Sequence, residues 1–366
     1  MELIRCLSQV QETRSHVNQV YPVQEVSFLL LVAVSCGHQG WSDIEDFGNG
    51  NLEWLRHYFP YENGIPTCQN IARIVRAIVP ESLLAALVEW VNQHRQKNGQ
   101  AIIALDGKDM KGVRRYGKTP LSQVSAFDVQ EGLVLYHQAT SGKGQEIESV
   151  RSLIDCLSIE GCILTMDALH CQAETLQQIV DKGATAVVQV KKNQPKLFEA
   201  VDNVFQQYWE KAEGDQVSLT HSEKGHGRQE KRSVYQLPLS LSGELKKKWP
   251  MLNSAIAVTR ERCLKGVRSY EAAYFVCTGE LTLDKAMQAT RGHWRTENQQ
   301  HWILDVVFGE DAQKVHVGKG PENMACFRRL AMNLLKKDPT RLSNPRKMNK
   351  AKYDHDYRHR LLFSEF

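Results

Sequence analysis

The chain contains 366 residues, of which 42% are hydrophobic and 24% are charged, a composition that excludes an intrinsically disordered or collagen-like protein. Its length exceeds the usual size of one domain and predicts two domains, or one domain with a large insertion. The formal net charge is +4, and the C-terminal segment alone carries more than this excess.

Cysteine usage and hydropathy indicate a reducing, intracellular setting. The nine cysteines are odd in number, scattered and never spaced as CxxC, which predicts neither a disulfide framework nor a zinc knuckle. The most apolar run, residues 26–37, is too short to span a bilayer and lies too far from a basic start for a signal peptide. We therefore expect a cytoplasmic protein without a membrane partner, in which this run is a buried helix.

The first 98 residues are predicted to be helical. Apolar residues recur at three- and four-residue spacing and are interrupted at Gly and Pro. Thr67, which precedes "CQNIARIV", is expected to cap a helix. The polar stretch "RQKNGQ" at 95–100 then separates this small helical N-terminal domain from the rest of the chain.

From residue 99 onward, strands alternate with helices. The strands "AIIALD", "SQVSAFDV" and "GLVLYHQAT" are followed by a helix, the strand "CILTMD", another helix and the strand "TAVVQV". The segment "QEG" between the second and third strands predicts a hairpin. This order predicts a mixed α/β sheet with flanking helices. Residues 216–279 are polar and strand-like, and either extend the sheet or form a β-rich insertion, of which we expect the insertion.

Two acidic residues come at the ends of predicted strands. Asp106 follows the apolar run "AIIAL", and Asp167 ends "CILTMD". If the two strands are neighbours, both carboxylates emerge at one edge of the sheet, where they could bind hard divalent ions such as Mg²⁺. Taken singly, Asp106 could instead be a turn residue and Asp167 a helix cap.

Glu297 supplies a third carboxylate, from a helix that is expected to start near Thr282. At ~100° per residue, His293 and His301 fall within roughly 40° of Glu297 on one helix face. The spacing HxxxExxxH differs from the HExxH of zinc proteases and therefore does not favour zinc. The order of a strand Asp, a second strand Asp and a helix Glu matches the acidic triad of ribonuclease H-like nucleotidyl transferases.

Several motifs together resemble the H-repeat-associated proteins, a family of DDE transposases from bacterial insertion sequences. They are "LDGKDMKG", "VSAFDVQEGLVL", "LTMDALHCQ", "VVQVKKNQPKLFEAV", "GHGRQEKR" and "RGHWRTENQQHWILDVVFGEDA". The resemblance extends over nearly the whole chain, since "GWSDIEDFG" and "ENMACFRRLAMNLLKKD" resemble the terminal regions of that family. It implies a ribonuclease H-like catalytic domain over residues 99–335, with Asp106, Asp167 and Glu297 as its triad.

The resemblance also implies a mechanism and partners. Two Mg²⁺ or Mn²⁺ ions held by the triad would support the cutting and joining of DNA at insertion-sequence ends. Pairing of two ends favours a homodimer associated with the nucleoid. Two alternatives remain open: a catalytically idle, domesticated DNA-binding descendant, and a plain metal-dependent nuclease.

Further residues are predicted to contact DNA, either beyond strand ends, in a basic loop, or beside Glu297. They are Lys108, Lys111, Lys191, Lys192, Asn193, Gln194, His226, Arg228, His293, Arg295 and His301. The alternatives are a solvated hairpin tip for the loop and simple packing for the two histidines beside Glu297. Trp294 and Trp302 could stack on a flipped base, although aromatic residues at helical spacing are typical of a core.

The C-terminal segment, residues 336–366, is strongly basic. Between Lys336 and Arg360 it contains nine Lys or Arg residues against three Asp residues, an excess of six positive charges. This excess suits a phosphate backbone or another anionic surface and predicts salt-dependent affinity for DNA. A solvated basic tail is the alternative.

Overall fold

The structure is a computed structural model that describes residues 2–15, 17, 19–95, 100–110, 121–139, 145–211, 218–225, 228–264 and 267–363. Within these ranges only the backbone is described for residues 110, 121, 137, 138, 224, 228, 294 and 295. All structural statements concern these parts of the chain.

The chain divides into two compact units. The helical unit comprises Met1–Gln96, Gly107–Glu146 and Glu297–Phe366, and the sheet unit comprises Lys97–Asp106 and Ile147–Thr296. This division by compactness differs from the division predicted along the sequence at residues 98 and 335, which stays a prediction.

The N-terminal part of the helical unit contains the predicted helices. They are α1 (Glu2–Ser8), α2 (Val23–Ser35), α3 (Trp41–Gly50), α4 (Leu52–Leu55), α5 (Cys68–Ala77) and α6 (Pro80–His94). The apolar run at 26–37 lies in and just after α2, and its side chains are buried from Val26 to Cys36, as predicted. The hydroxyl of Thr67 accepts the backbone N–H of Asn70 at 3.5 Å and so caps α5, also as predicted.

The C-terminal part of the helical unit contains α12 (Gly320–Lys337), α13 (Asn344–Tyr353) and α14 (His355–Phe363). Helix α12 packs against α2, α5 and α6, which explains why most of its residues are buried. The basic segment is therefore largely helical, and two of its cations are structural. Lys347 donates to the carbonyl oxygens of Leu335 and Asp338 at 2.8 and 2.6 Å. Arg358 lies over the ring of Trp54 at 4.8 Å.

A hairpin completes the helical unit. Strands β2 (Leu121–Asp128) and β3 (Leu133–Ala139) pair antiparallel, and the turn between them contains the predicted "QEG". Gly132 in this turn has a φ of 71°, a conformation that glycine adopts without strain. Asn333 of α12 joins the hairpin to the core, because its side-chain amide both donates to and accepts from the backbone of Val134.

The sheet unit is built on seven strands. They are the first half of β1 (Ile102–Met110), β4 (Ile163–Met166), β5 (Thr185–Val190), β6 (Ser218–Gly225), β7 (Arg228–Pro238), β8 (Ser254–Leu264) and β9 (Val267–Cys277). Their order is β1-β4-β5-β9-β8-β7-β6, parallel between β1, β4 and β5 and antiparallel from β5 outward. Strands β6 to β9 therefore extend the sheet, in the segment where the sequence indicated a β-rich insertion.

Helices flank these strands, as expected for a mixed α/β sheet. They are α7 (Glu146–Cys156), α8 (Ala173–Asp181), α9 (Pro195–Lys211), α10 (Gly243–Lys248) and α11 (Leu283–Thr296). The predicted cap of α11 is present, because the hydroxyl of Thr282 accepts the backbone N–H of Lys285 at 3.3 Å. No helix in the described part of the chain is long and apolar enough to cross a membrane.

Candidate active site

Asp106 and Asp167 lie at equivalent positions of neighbouring parallel strands. The pairing of β1 with β4 joins Ile102 to Ile163 and Ala104 to Thr165, a constant offset of 61 positions. The same offset relates Asp106 to Asp167, just beyond the last paired residues. Asp106 is half-buried, and the side chain of Asp167 is 46% exposed. The two strands are thus neighbours, which is the condition that the sequence argument required.

Strand β1 is longer than predicted. The sequence indicated that it ends at Asp106, but it continues to Met110, past the end of β4 at Met166. The polar residues after Asp106 remain in the strand because β1 has β2 as its other neighbour. Asp106 is therefore an internal strand residue and not a turn residue.

Asp167 has a structural role as well. It precedes a 3₁₀ turn, Ala168–His170, and its Oδ1 atom accepts the backbone N–H of Leu169 at 3.0 Å. The buried ring of His170 lies nearby, with Nε2 3.9 Å from the same oxygen. Capping thus accounts for one lone pair of the carboxylate, and the remaining oxygen sites stay available to a ligand.

His293 belongs to the surroundings of Asp167. Burial lowers the pKa of its imidazole, attraction to Asp167 raises it, and repulsion from His170 and Lys191 lowers it. The net result is a lowered pKa, so the ring is neutral at pH 7. Its Nδ1 atom is buried and has no hydrogen-bond partner among the described residues.

The residues that follow β5 have two different surroundings. Lys191 and Lys192 are exposed, as a phosphate contact requires. Asn193 donates to the carbonyl oxygen of Ala168 at 2.6 Å, and Gln194 donates to that of Cys171 at 3.0 Å. The two amides therefore brace the loop after Asp167. Their predicted contact with DNA stays a prediction.

Glu297 lines an acidic cavity within the helical unit. The cavity has a volume of about 400 Å³ and is lined by Gly107, Lys108, Asp109, Glu297, Asn298, His301, Trp302, Asp305 and Asp311. Four of these residues carry carboxylates and one is a lysine, so the cavity is strongly acidic. It would repel DNA phosphates unless bound cations neutralised it. Trp302 is 55% exposed and is therefore not a core residue.

The helix around Glu297 differs from the prediction in its winding. The sequence indicated one regular helix, but α11 ends at Thr296 and continues as two π-helical segments, Glu297–His301 and Ile303–Val307. A π-helix has i→i+5 hydrogen bonds, so the rotation of 100° per residue does not apply beyond Glu297. His301 nevertheless lines the same cavity as Glu297, whereas His293 belongs to the sheet unit.

Lys108 is ion-paired at the base of this cavity. Its ammonium donates to Asp305 and, at 3.3 Å, to Glu310, and its side chain is only 11% exposed. Glu310 is completely buried and accepts from Arg329 of α12 at 2.6 Å. The predicted phosphate contact of Lys108 stays a prediction, but it competes with these two ion pairs.

Four of the predicted DNA contacts are not described at the level of side chains. Lys111 and His226 fall outside the described residues, and only the backbone of Arg228, in β7, and of Arg295, in α11, is described.

The sequence reasoning missed several acidic residues near Glu297 and Gly107. Asp305 and Asp311 line the cavity together with Glu297, and the acidic run in "ILDVVFGEDA" was the available signal. The carboxylate of Glu146 lies so close to Gly107 that a Cβ atom there would collide with it. This contact joins residues far apart in sequence, so no local pattern indicated it.

The donor chemistry of these residues fits a hard divalent ion. Among the described residues, no three His, Cys, Asp or Glu side chains lie close enough together to hold a metal ion as they stand. The available donors are carboxylate oxygens, however, which Mg²⁺ and Mn²⁺ prefer over nitrogen or sulfur ligands. The residues therefore fit the implied ions in type, and binding would require the side chains to converge.

Comparison with known proteins shows the family. Residues 4–91 match the family described as DDE_Tnp_1-associated, and residues 97–334 match the Transposase DDE domain. The "H repeat-associated putative transposase YhhI" of Escherichia coli strain K12 is 31% identical over 367 residues, covering 97% of this chain and 96% of that protein. "Putative protein YbfL" of the same strain has the same identity and coverage.

A solved structure of a piggyBac transposase synaptic complex with hairpin DNA is also similar, with 11% identity and a TM-score of 0.41, covering 99% of this chain and 78% of that chain. This likeness is too weak to inform the site. The match to the Transposase DDE domain and the mixed sheet together confirm the predicted ribonuclease H-like fold. The chain belongs to the H-repeat-associated family of DDE transposases.

Proposed function

We propose that this chain is a transposase that cuts and joins DNA at insertion-sequence ends, by phosphodiester hydrolysis followed by transesterification. The observation that supports this most directly is the equivalent position of Asp106 and Asp167 on two parallel strands, in a chain of the transposase DDE family. Glu297 directly follows α11, a helix that packs against β4, and would be the third carboxylate.

Each residue has a proposed task. Asp106 would contact both of two Mg²⁺ or Mn²⁺ ions, while Asp167 and Glu297 would each hold one. When bound, these ions supply the activation of a water or 3′-hydroxyl and the stabilisation of the leaving oxygen. His293, neutral at pH 7, and His301 would orient the scissile phosphate. The capping bond of Asp167 holds its carboxylate in one orientation before any ion binds.

Contacts to the DNA backbone would come mainly from exposed cations. Lys191 and Lys192 lie just beyond the end of β5 and are exposed, which supports a phosphate contact for both. Lys111, His226, Arg228 and Arg295 are proposed as further contacts on the sequence alone. Asn193 and Gln194 would hold the loop after Asp167 in place through their hydrogen bonds to its backbone. They would contact DNA only after these hydrogen bonds are broken.

We also propose a division of the chain into domains. We place a helical N-terminal domain at residues 1–98, the catalytic domain at 99–335 and a basic C-terminal segment at 336–366. The family matches at 4–91 and 97–334 support the first boundary. Two element ends must be held together during transposition, which favours a homodimer acting at the nucleoid in the cytoplasm.

The proposal is tested by metal titration and cleavage in one buffer. Mn²⁺ is titrated calorimetrically into the wild type, Asp106→Asn, Asp167→Asn and the control Asp284→Asn, whose side chain is exposed in the same unit. The same proteins are then incubated with supercoiled plasmid carrying the DNA that flanks the gene. We expect Mn²⁺ binding, nicking and joined products with the wild type and the control, and none of these with the two active-site variants.

The other outcomes distinguish the competing functions. Hydrolysis without any joined product would indicate a plain nuclease. Plasmid binding without metal-dependent cleavage would indicate a catalytically idle, DNA-binding descendant. Equal cleavage by the wild type and Asp106→Asn would remove Asp106 from the active site.

A further inference from the structure

We propose that Lys108 is a positioning residue, which ties the π-helical segments that begin at Glu297 to strand β1 and thereby sets the place of the Glu297 carboxylate. The inference rests on the proposed function, because it concerns the same reaction. It assigns Lys108 a task inside the protein instead of the phosphate contact that its sequence position indicates.

The tie consists of two ion pairs. Lys108 lies on β1 and donates to Asp305, which belongs to the second π-helical segment. The same ammonium lies 3.3 Å from the carboxylate of Glu310, in the turn that follows that segment. One side chain therefore connects the strand both to the second π-helical segment and to the turn that follows it.

Glu310, the second partner of Lys108, is held by other buried residues. Glu310 is completely buried, and Arg329 of α12 donates to it at 2.6 Å. Arg329 also donates to the carbonyl oxygen of Ala325 at 3.0 Å, so its guanidinium is held by its own helix. Because most residues of α12 are buried, Lys108 is connected through Glu310 to the core of the unit.

Lys108 neutralises part of the negative charge of Asp305 and Glu310. Burial raises the pKa of Glu310, but attraction to Arg329, Lys108 and Arg328 outweighs it and lowers the pKa to about 2, so this carboxyl is ionised. Burial raises the pKa of Asp305 and outweighs the hydrogen bond and attraction to Lys108, which lower it, so the net pKa is raised. Lys108 is thus the cation that compensates Asp305, and its removal would leave that carboxylate beside two other acidic residues.

A DNA contact by Lys108 would break these pairs. Its side chain is only 11% exposed, and removing one partner of a buried ion pair leaves an uncompensated charge. Lys192, by contrast, is exposed and can meet a phosphate at no such cost. We therefore expect Lys192, and not Lys108, to contribute to DNA binding.

Positioning matters here because the segment is irregular. A π-helix is wider and less favourable than an α-helix and is held in place by its surroundings. Groups that orient a metal ligand without touching the ion typically affect metal affinity or activity by about 10- to 100-fold. An effect of this size is expected when the anchor of the Glu297 segment is lost.

The experiment compares Lys108→Met, Asp305→Asn, the double variant and Lys192→Met. Calorimetry gives the half-saturating Mn²⁺ concentration, and plasmid binding is measured at several salt concentrations. We expect Lys108→Met to raise the half-saturating Mn²⁺ concentration about 10-fold or more, with plasmid affinity and its salt dependence unchanged. Lys192→Met should weaken plasmid binding and reduce the salt dependence, with Mn²⁺ binding unchanged.

The double variant tests whether the two residues act together. We expect its Mn²⁺ binding to be no weaker than that of either single variant, because both substitutions remove the same tie. If Lys108→Met does not fold, which thermal melting reveals, Asp305→Asn alone must show the shift in Mn²⁺ binding. Reduced salt dependence with unchanged Mn²⁺ binding in Lys108→Met would overturn the proposal in favour of a phosphate contact. Additive effects of the two substitutions on the half-saturating Mn²⁺ concentration would overturn it too.

Failure of the proposed function would look different. A wild type that binds Mn²⁺ but never cleaves DNA would contradict the transposase activity, while the Mn²⁺ comparison between wild type and Lys108→Met would still decide the role of Lys108.

Discussion

The carboxylate of Asp167 accepts the backbone N–H of Leu169 at 3.0 Å, so this proposed metal ligand is also the cap of the turn that follows it. The two roles need different chemistry. Capping requires an oxygen acceptor, which an amide also provides, whereas Mg²⁺ and Mn²⁺ bind a charged carboxylate much more strongly than a neutral amide oxygen. Substitutions at this position can therefore separate them.

We expect Asp167→Asn to abolish DNA cleavage and leave thermal stability unchanged, because asparagine caps about as well as aspartate. Asp167→Ala should abolish cleavage and also destabilise the protein by about 1 kcal/mol, since the cap is lost. Plasmid cleavage and thermal melting of the three proteins provide the measurement. Cleavage by Asp167→Asn at the wild-type rate would restrict Asp167 to capping.

The buried pair of Glu310 and Arg329 predicts a dependence of stability on pH. The pKa of Glu310 is lowered from 4.5 to about 2, so its contribution to the free energy of unfolding is complete above pH 4.5 and is lost as the pH falls towards 2. Glu310→Gln should be less stable than the wild type by about 3 kcal/mol at pH 7, because Arg329 loses its charged partner.

The difference between Glu310→Gln and the wild type should shrink as the pH falls from 4.5 to 2. Urea unfolding of both proteins at several pH values measures it. Glu53→Gln, at an exposed position of the same unit, is the control and should match the wild type throughout. If the difference in the free energy of unfolding stays constant from pH 4.5 to 2, ionisation of Glu310 is not the cause of the pH dependence of stability.

Asn333 is predicted to be essential for the hairpin of the helical unit. Its side chain accepts the N–H of Val134 at 2.9 Å and donates to the carbonyl oxygen of Val134 at 2.8 Å, in a buried environment. Asn333→Leu removes both bonds and leaves two backbone groups unsatisfied, which should destabilise the protein by about 2–4 kcal/mol. Urea unfolding tests this, with the exposed Asn349→Leu as the matched control. Equal midpoints for the two variants would show that Val134 finds other partners.

The basic C-terminal segment is predicted to contain two kinds of cation. Arg341 and Arg346 are exposed, and replacing both with Gln should weaken plasmid binding and reduce the slope of log affinity against log salt by roughly 2. Lys347 is buried against Leu335 and Asp338, so Lys347→Met should lower thermal stability and leave the slope unchanged. Binding at several salt concentrations measures both. An unchanged slope for the double variant would mean that this segment does not contact DNA.

The sequence by itself determined several local elements of the fold. Apolar periodicity and helix caps are local properties, so the hairpin around "QEG", the cap at Thr67 and the start of α11 at Thr282 were predicted correctly. The adjacency of the strands that carry Asp106 and Asp167 was only a condition in the sequence argument, and the pairing of β1 with β4 meets it.

Only the tertiary structure decided which segments are partners. It shows that strands β6 to β9 extend the sheet, that β1 continues beyond Asp106 beside β2, and that Lys347 and Arg358 are buried. It also shows that π-helical winding begins at Glu297 and that Lys108 pairs with Asp305, 197 positions away. These features depend on contacts between residues far apart in the chain. A sequence pattern reports which side chains prefer burial, whereas packing decides which neighbour satisfies the charge or hydrogen bond of each one.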